Sequence, residues 1–254
     1  MKVFHDYAYY YNLFYGDKNY ALEAETIVNI LEKYGKPDYD KKVLNIGCGT
    51  GRHDLELNKL GYKIHGIDLS DDMINIAKAN VLDEGDFIYE VQDARSFSVE
   101  LRYDIIVSLF HVMSYQNTND DLNRVFKCVS KALNSGGLFI FDAWYGPGVL
   151  SERPSVRIKR VEDQENLFVR IAEPIMYPNE NIVKVQYDVS IINKQEEKLR
   201  KINENHNMRY FFIPEIEELL RQNKLRLIEC LDCTTLKTPD FNSWTVYFIT
   251  QKTE

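Results

Sequence analysis

Residues Lys42–Gly51, reading KVLNIGCGTG, constrain this chain more than any other stretch. Val43, Leu44 and Ile46 form a short apolar run suited to a buried parallel strand. Gly47, Gly49 and Gly51 follow at alternate positions, and glycines leaving a strand let the backbone approach a ligand where a Cβ would collide. Asp54–Leu60 then carries Leu55, Leu57 and Leu60 at helix-compatible spacing, so a helix N-terminus would aim its free N–H groups at that ligand. A second strand, KIHGID, ends in Asp68 about 20 residues after the first glycine, where an acid accepts both hydroxyls of a bound ribose. The spacing departs from the dinucleotide fingerprint G-x-G-x-x-G. The third glycine comes one position early, and Arg52 stands where the fingerprint has glycine, which argues against an NAD-dependent oxidoreductase.

The remaining chain alternates strand and helix patterns. A tyrosine-rich arm, Phe4–Tyr20, feeds a helix over Leu22–Tyr34, an arrangement suited to a lid. Ser70 or Asp71 caps a helix over Asp72–Ala79. Asp86–Val91 reads as a third strand, with Asp93-Ala94 after it, where an acid can bond an adenine amino group. Tyr103–Phe110 is a strongly apolar fourth strand, and in doubly wound sheets ligands sit beyond the carboxyl ends of the strands. Asp120–Leu133 is an amphipathic helix closed by Asn134-Ser135-Gly136-Gly137, and Leu138–Phe141 is a fifth strand. Ser155–Phe212 then alternates apolar and polar residues in several runs, which predicts three or four antiparallel strands roofing the site. A helix over Pro214–Asn223 and two antiparallel edge strands, Leu225–Leu231 and Thr245–Thr250, complete the pattern. The expected fold class is α/β: a doubly wound, seven-stranded sheet with an inserted antiparallel β-sheet. Residues 1–150 and 213–254 would make the nucleoside-binding domain, and 151–212 the insertion.

Charge and cysteine content limit the partners. The net charge of −8 disfavours a nucleic-acid surface, and no apolar stretch approaches membrane-spanning length. Cys230 and Cys233 form a C-x-x-C with no second pair, short of the four ligands a zinc site needs, so no metal is expected. Cys230 reads instead as an inward residue on a late strand. Scattered cysteines and the lack of a signal peptide point to a cytoplasmic protein. Exposed insertion strands offer a route to a homodimer.

A strand, a G-x-G-x-G turn, a helix and an acid-ended second strand resemble the S-adenosylmethionine (SAM) site of class I methyltransferases. With Tyr11, Asp17-Lys18-Asn19-Tyr20, Asp142-Ala143-Trp144-Tyr145 and Glu204-Asn205-His206, the chain is further similar to N-methyltransferases of nucleotide-linked deoxyaminosugars. The resemblance implies that Tyr11 and Tyr20 hold the methionine end of SAM, that Gly47 contacts it through the backbone, and that Gly49 and Leu69 also bind the cofactor. It places Asp68 at the ribose, Asp93 and Ala94 around the adenine, and Leu109 and Phe110 near the sulfonium. The match departs at Asn45, where the family has Asp or Glu, and at Tyr115, where it often has His.

An amine or hydroxyl acceptor must lose a proton, which suits a neutral imidazole. The candidates are His111, beyond the fourth strand, and His206, on the roof, with Tyr7 and Tyr115 as phenolic alternatives. His111 is preferred, because its position points at the donor. The expected function is methylation of a small polar metabolite, with N-methylation of an aminosugar or similar amine favoured. The alternatives are an O-methyltransferase for another small molecule and a SAM-binding protein without catalysis.

Overall fold

The structure is a computed structural model describing residues 8–81, 84–196 and 198–254. Tyr7 and the start of the tyrosine-rich arm lie outside the described residues. Two helices, α1 (Ala8–Phe14) and α2 (Tyr20–Tyr34), precede β1 (Lys42–Ile46). Then come α3 (Arg52–Lys59), β2 (Lys63–Asp68), α4 (Asp71–Ala79), β3 (Phe87–Val91), β4 (Tyr103–Ser108), α5 (Asn119–Ala132) and β5 (Leu133–Tyr145). A short α6 (Gly146–Ser151) leads into β6 (Arg157–Glu162), β7 (Asn166–Tyr177), β8 (Ile182–Asn193) and β9 (Leu199–Phe211). The chain closes with α7 (Ile213–Gln222), β10 (Leu225–Asp232) and β11 (Thr245–Lys252).

The first five strands are parallel, with β1 between β2 and β4, β3 outside β2, and β5 outside β4. The order reverses at β1, which leaves a crevice beyond the strand ends between β1 and β4. β11 runs antiparallel to β5, and β10 antiparallel to β11. The main sheet therefore reads β3-β2-β1-β4-β5-β11-β10, with seven strands and helices on both faces. β3 forms one edge and β10 the other; β11 and β10 are the antiparallel neighbours expected there, with β11 the inner of the two because it also pairs with β5.

Side chains along each strand alternate between two cores, as the period of two requires. Leu44, Ile106, Phe139 and Phe141 pack on the face carrying Phe126 of α5 and Leu220 of α7. Val43, Ile105, Leu138 and Ile140 pack on the face carrying Ile27 of α2 and Leu57 of α3. Caps fix the helix starts: the Asn19 side chain accepts from Leu22 N–H, Ser70 from Met73 N–H and Thr118 from Asp121 N–H. Phe248 is fully buried and stacks on Phe141 with ring centroids 4.9 Å apart. Phe248→Ala is expected to lower unfolding free energy by about 3–5 kcal/mol through the cavity it leaves, as chemical denaturation would read.

Two stretches differ from the sequence expectation. β5 begins at Leu133, directly after α5, and runs through Tyr145, well past both ends of Leu138–Phe141. The glycines that end a helix by sequence lie inside this strand, where a register shift against β4 takes up Gly136 with φ +77°. α6 had no signal beyond Pro147.

β6 to β9 form an antiparallel meander of four strands, where the alternation left three or four open. Its last strand joins the main sheet, since Tyr210 and Phe211 pair in parallel with Trp144 and Tyr145. That junction holds the meander over the carboxyl ends of the central strands.

Candidate active site

The glycine turn is built for close approach. Gly47 has φ +73°, and a Cβ there would lie 2.5 Å from a Val112 methyl. Gly47 and Cys48 N–H both donate to Ile67 carbonyl oxygen, which ties the turn to the end of β2. Gly49 N–H donates to Asp68 Oδ2 at 2.9 Å, and Ser70 N–H to Asp68 Oδ1 at 2.8 Å. The carboxylate is thereby held at the crevice with lone pairs to spare. Burial pushes its pKa up and outweighs the backbone donors that pull it down.

Above this turn lies a cavity of about 1100 Å³, walled below by the strand ends and above by the meander. Every described candidate lines it: Tyr11, Tyr20, Gly47, Gly49, Asp68 and Leu69 at one end, Asp93 and Ala94 beside them, and Leu109, Phe110, His111, Tyr115 and His206 toward the meander. Asp93 is already engaged. Arg95 donates to both of its oxygens, at 2.9 and 2.7 Å, and reaches Asp121 on α5 at 3.2 Å. The Arg95 hydrogen bonds hold the Asp93 carboxyl below its ordinary range.

The N-terminal helices close one side. Thr50 donates from Oγ1 to Asn12 Oδ1 at 2.8 Å, and Tyr15 meets the Phe110 ring edge-on at 5.0 Å between centroids. The Arg52 guanidinium stacks over Tyr20 at 4.8 Å, and His53 Nε2 lies 2.7 Å from Glu23 Oε2. Lys18 pairs with the same glutamate. Burial raises the Glu23 pKa, but His53 and Lys18 bring the net shift below ordinary. The sequence reading missed Tyr15, Arg52 and His53 as cavity residues. Arg52 and His53 had a signal, since they open α3.

Beyond β4 the backbone is strained. Phe110 and His111 have φ of +68° and +64°, which costs non-glycine residues about 1–2 kcal/mol each. Asp142 of β5 holds the turn: His111 N–H donates to its Oδ1 at 3.0 Å, and His111 Nδ1 lies 2.7 Å from its Oδ2. Burial works to raise the Asp142 pKa, but the charge and hydrogen bonds of His111 leave it lowered.

Four residues beyond His111, Tyr115 Oη lies 2.7 Å from His206 Nδ1. His206 Nε2 lies 2.8 Å from Glu204 Oε2. Glu204 and His206 are two apart on β9 and so share a face. An ionised carboxylate only accepts, so Nε2 carries the proton and Nδ1 is left to accept from the phenol. The result is a Tyr115–His206–Glu204 chain that joins the loop after β4 to the meander, with His206 2% exposed.

Among the described residues no cluster of His, Cys, Asp and Glu has metal-holding geometry, and no helix is long and apolar enough to cross a membrane. Cys230 is buried on β10, as read from sequence.

The glycine cradle, the acid at the end of β2 and the cavity above them fit an adenosyl cofactor with a charged amino-acid end. On this sheet order, they define a class I SAM-dependent methyltransferase. Residues 43–137 match a family model described as a methyltransferase domain. The protein YqeM of Bacillus subtilis is 25% identical over 84% of this chain and 85% of its own. The dTDP-3-amino-3,4,6-trideoxy-alpha-D-glucopyranose N,N-dimethyltransferase of Streptomyces venezuelae is 27% identical over 58% of this chain, which spans 61% of that relative. The solved structure of the sugar N-methyltransferase KedS8 from a Streptoalloteichus species superposes with a TM-score of 0.81 at 20% identity, covering 96% of this chain and 93% of that one.

Proposed function

We propose that this enzyme N-methylates an amino sugar linked to a nucleotide. The observation that carries the reading is the cavity's continuation from the cofactor cleft to the meander, where proton-accepting and cationic groups face the same space. Arg157 of β6 and Lys184 of β8 line it, and neither has an ion-pair partner among the described residues. Cations so placed suit the phosphates of a nucleotide-linked acceptor. The name of the Streptomyces relative supports the same acceptor class.

SAM supplies a methyl group on a sulfonium, an intrinsically good leaving group. The chain's own task is to hold the acceptor nitrogen in line, within about 3–3.5 Å, and to take its proton. Tyr115 presents its phenol to the cavity and passes a proton to His206 Nδ1, while Glu204 steadies the imidazolium. His111, bound to Asp142, sets the strained turn that brings Leu109 and Phe110 to the cleft.

The test is methyl transfer from labelled SAM to a panel of nucleotide-linked amino sugars, their hydroxyl counterparts and unlinked amines. Product methylated on nitrogen, formed fastest with the nucleotide-linked amines, is the expected outcome. Transfer only to hydroxyls, or tight SAM binding with no transfer to any acceptor, would replace this reading by one of the other two.

A further inference from the structure

Behind the glycine turn, Asn45 is the last residue but one of β1. Its side chain is 2% exposed and lies on the cavity wall. Asn45 Nδ2 donates to Asp54 Oδ1 at 2.6 Å. Since a carboxylate takes only donors, the amide must turn its NH2 toward Asp54 and its Oδ1 away. That Oδ1 is buried without a hydrogen-bond partner. Buried acceptors left unpaired are rare, and one on the wall of a cofactor cleft marks the place of a ligand donor.

Asp54 is the third residue of α3 and is fully buried. Asn45 faces it from β1, Tyr89 from β3, Cys48 from the turn and His53 from its own helix. Of these only His53 can carry positive charge, and it is already bound to Glu23. Burial pushes the Asp54 pKa up to about 6, against the Asn45 bond that lowers it. The carboxylate therefore sits in a poor place for an anion, one side chain behind a cavity that receives a cofactor with an ammonium group.

We infer that Asp54 is a positioning residue for the amino-acid end of the cofactor. It orients the Asn45 amide so that Oδ1 accepts from the cofactor's α-ammonium, and its charge supports that contact from behind. The inference rests on the cofactor and not on the acceptor, so failure of the amino-sugar reading leaves it standing.

Two probes separate this role from simple support of the turn. S-adenosylhomocysteine carries the amino-acid end, whereas 5′-methylthioadenosine has the same adenosine without it. By calorimetry at pH 8, Asp54→Asn should weaken S-adenosylhomocysteine about 10- to 100-fold, the scale of one charge-assisted contact, and leave methylthioadenosine within about twofold. The exchanged pair, Asn45→Asp with Asp54→Asn, should restore most of the lost affinity. Wild-type affinity for S-adenosylhomocysteine should fall as pH drops through about 6, while Asp54→Asn shows no such step. The Asp54→Asn protein should melt no lower than wild type, because it is relieved of a buried charge. Equal weakening of both ligands, or unchanged S-adenosylhomocysteine binding, would overturn the assignment. If the single variant does not fold, the wild-type pH step and the exchanged pair decide it.

Discussion

Asp68→Ala is expected to weaken SAM about 100-fold or more. The carboxylate accepts from Gly49 and Ser70 N–H, and its spare lone pairs face the cavity where a ribose would present two hydroxyls. Charge-assisted hydrogen bonds are worth about 1.5–3 kcal/mol each, so losing the ribose contacts alone accounts for that factor. The variant also leaves Gly49 N–H without its acceptor, which loosens the turn. Calorimetric titration with SAM and S-adenosylhomocysteine reads the effect, with Asp68→Asn falling between the two. Binding by Asp68→Ala within about threefold of wild type would take the adenosyl group out of this cradle.

Tyr115→Phe and His206→Asn are each expected to lower kcat about 10²-fold at pH 7, the lower end of what general-base catalysis supplies. Their Kd for SAM should stay near the wild-type value, because the pair sits toward the meander and away from Asp68. The loss should shrink as pH rises, since an acceptor amine that is already neutral needs no base. Glu204→Gln should cost about tenfold by releasing the His206 tautomer. His111→Ala should act otherwise, by relaxing the turn after β4 and raising the Kd for SAM along with its loss in kcat. Full turnover in Tyr115→Phe would exclude the phenol as the proton's exit, whereas a pH-independent loss would mark it as a packing residue.

How far the sequence reaches can be followed in single residues. Gly47, Asp68 and Ser70 are legible because each answers a local demand: a positive φ, a strand end, a helix cap. The four-stranded meander is legible because alternation of period two is written residue by residue. β5 is not, since its ends depend on pairing with β4 and β11, and that pairing overrides the stop signal of Gly136 and Gly137. Asp93 reads as an acid placed for an adenine amino group, and the sequence does not show that Arg95, two residues on, turns back to bind it in the folded loop. His111 looks like the base from its place beyond a central strand. In the fold it is fastened to Asp142, 31 residues away.

The strand–turn–helix unit, the acid that follows it and the alternating insertion can be read locally, because they depend on torsion preferences and periodicity over a few neighbouring residues. The meeting of Tyr115 with His206 across 91 residues, and the buried bond shared by Asn45 and Asp54, arise only when the layers pack. The first contact depends on β9 joining β5 and so fixing the meander above the loop. The second depends on α3 packing back over β1. Both are set by how layers dock, which no short stretch of chain encodes.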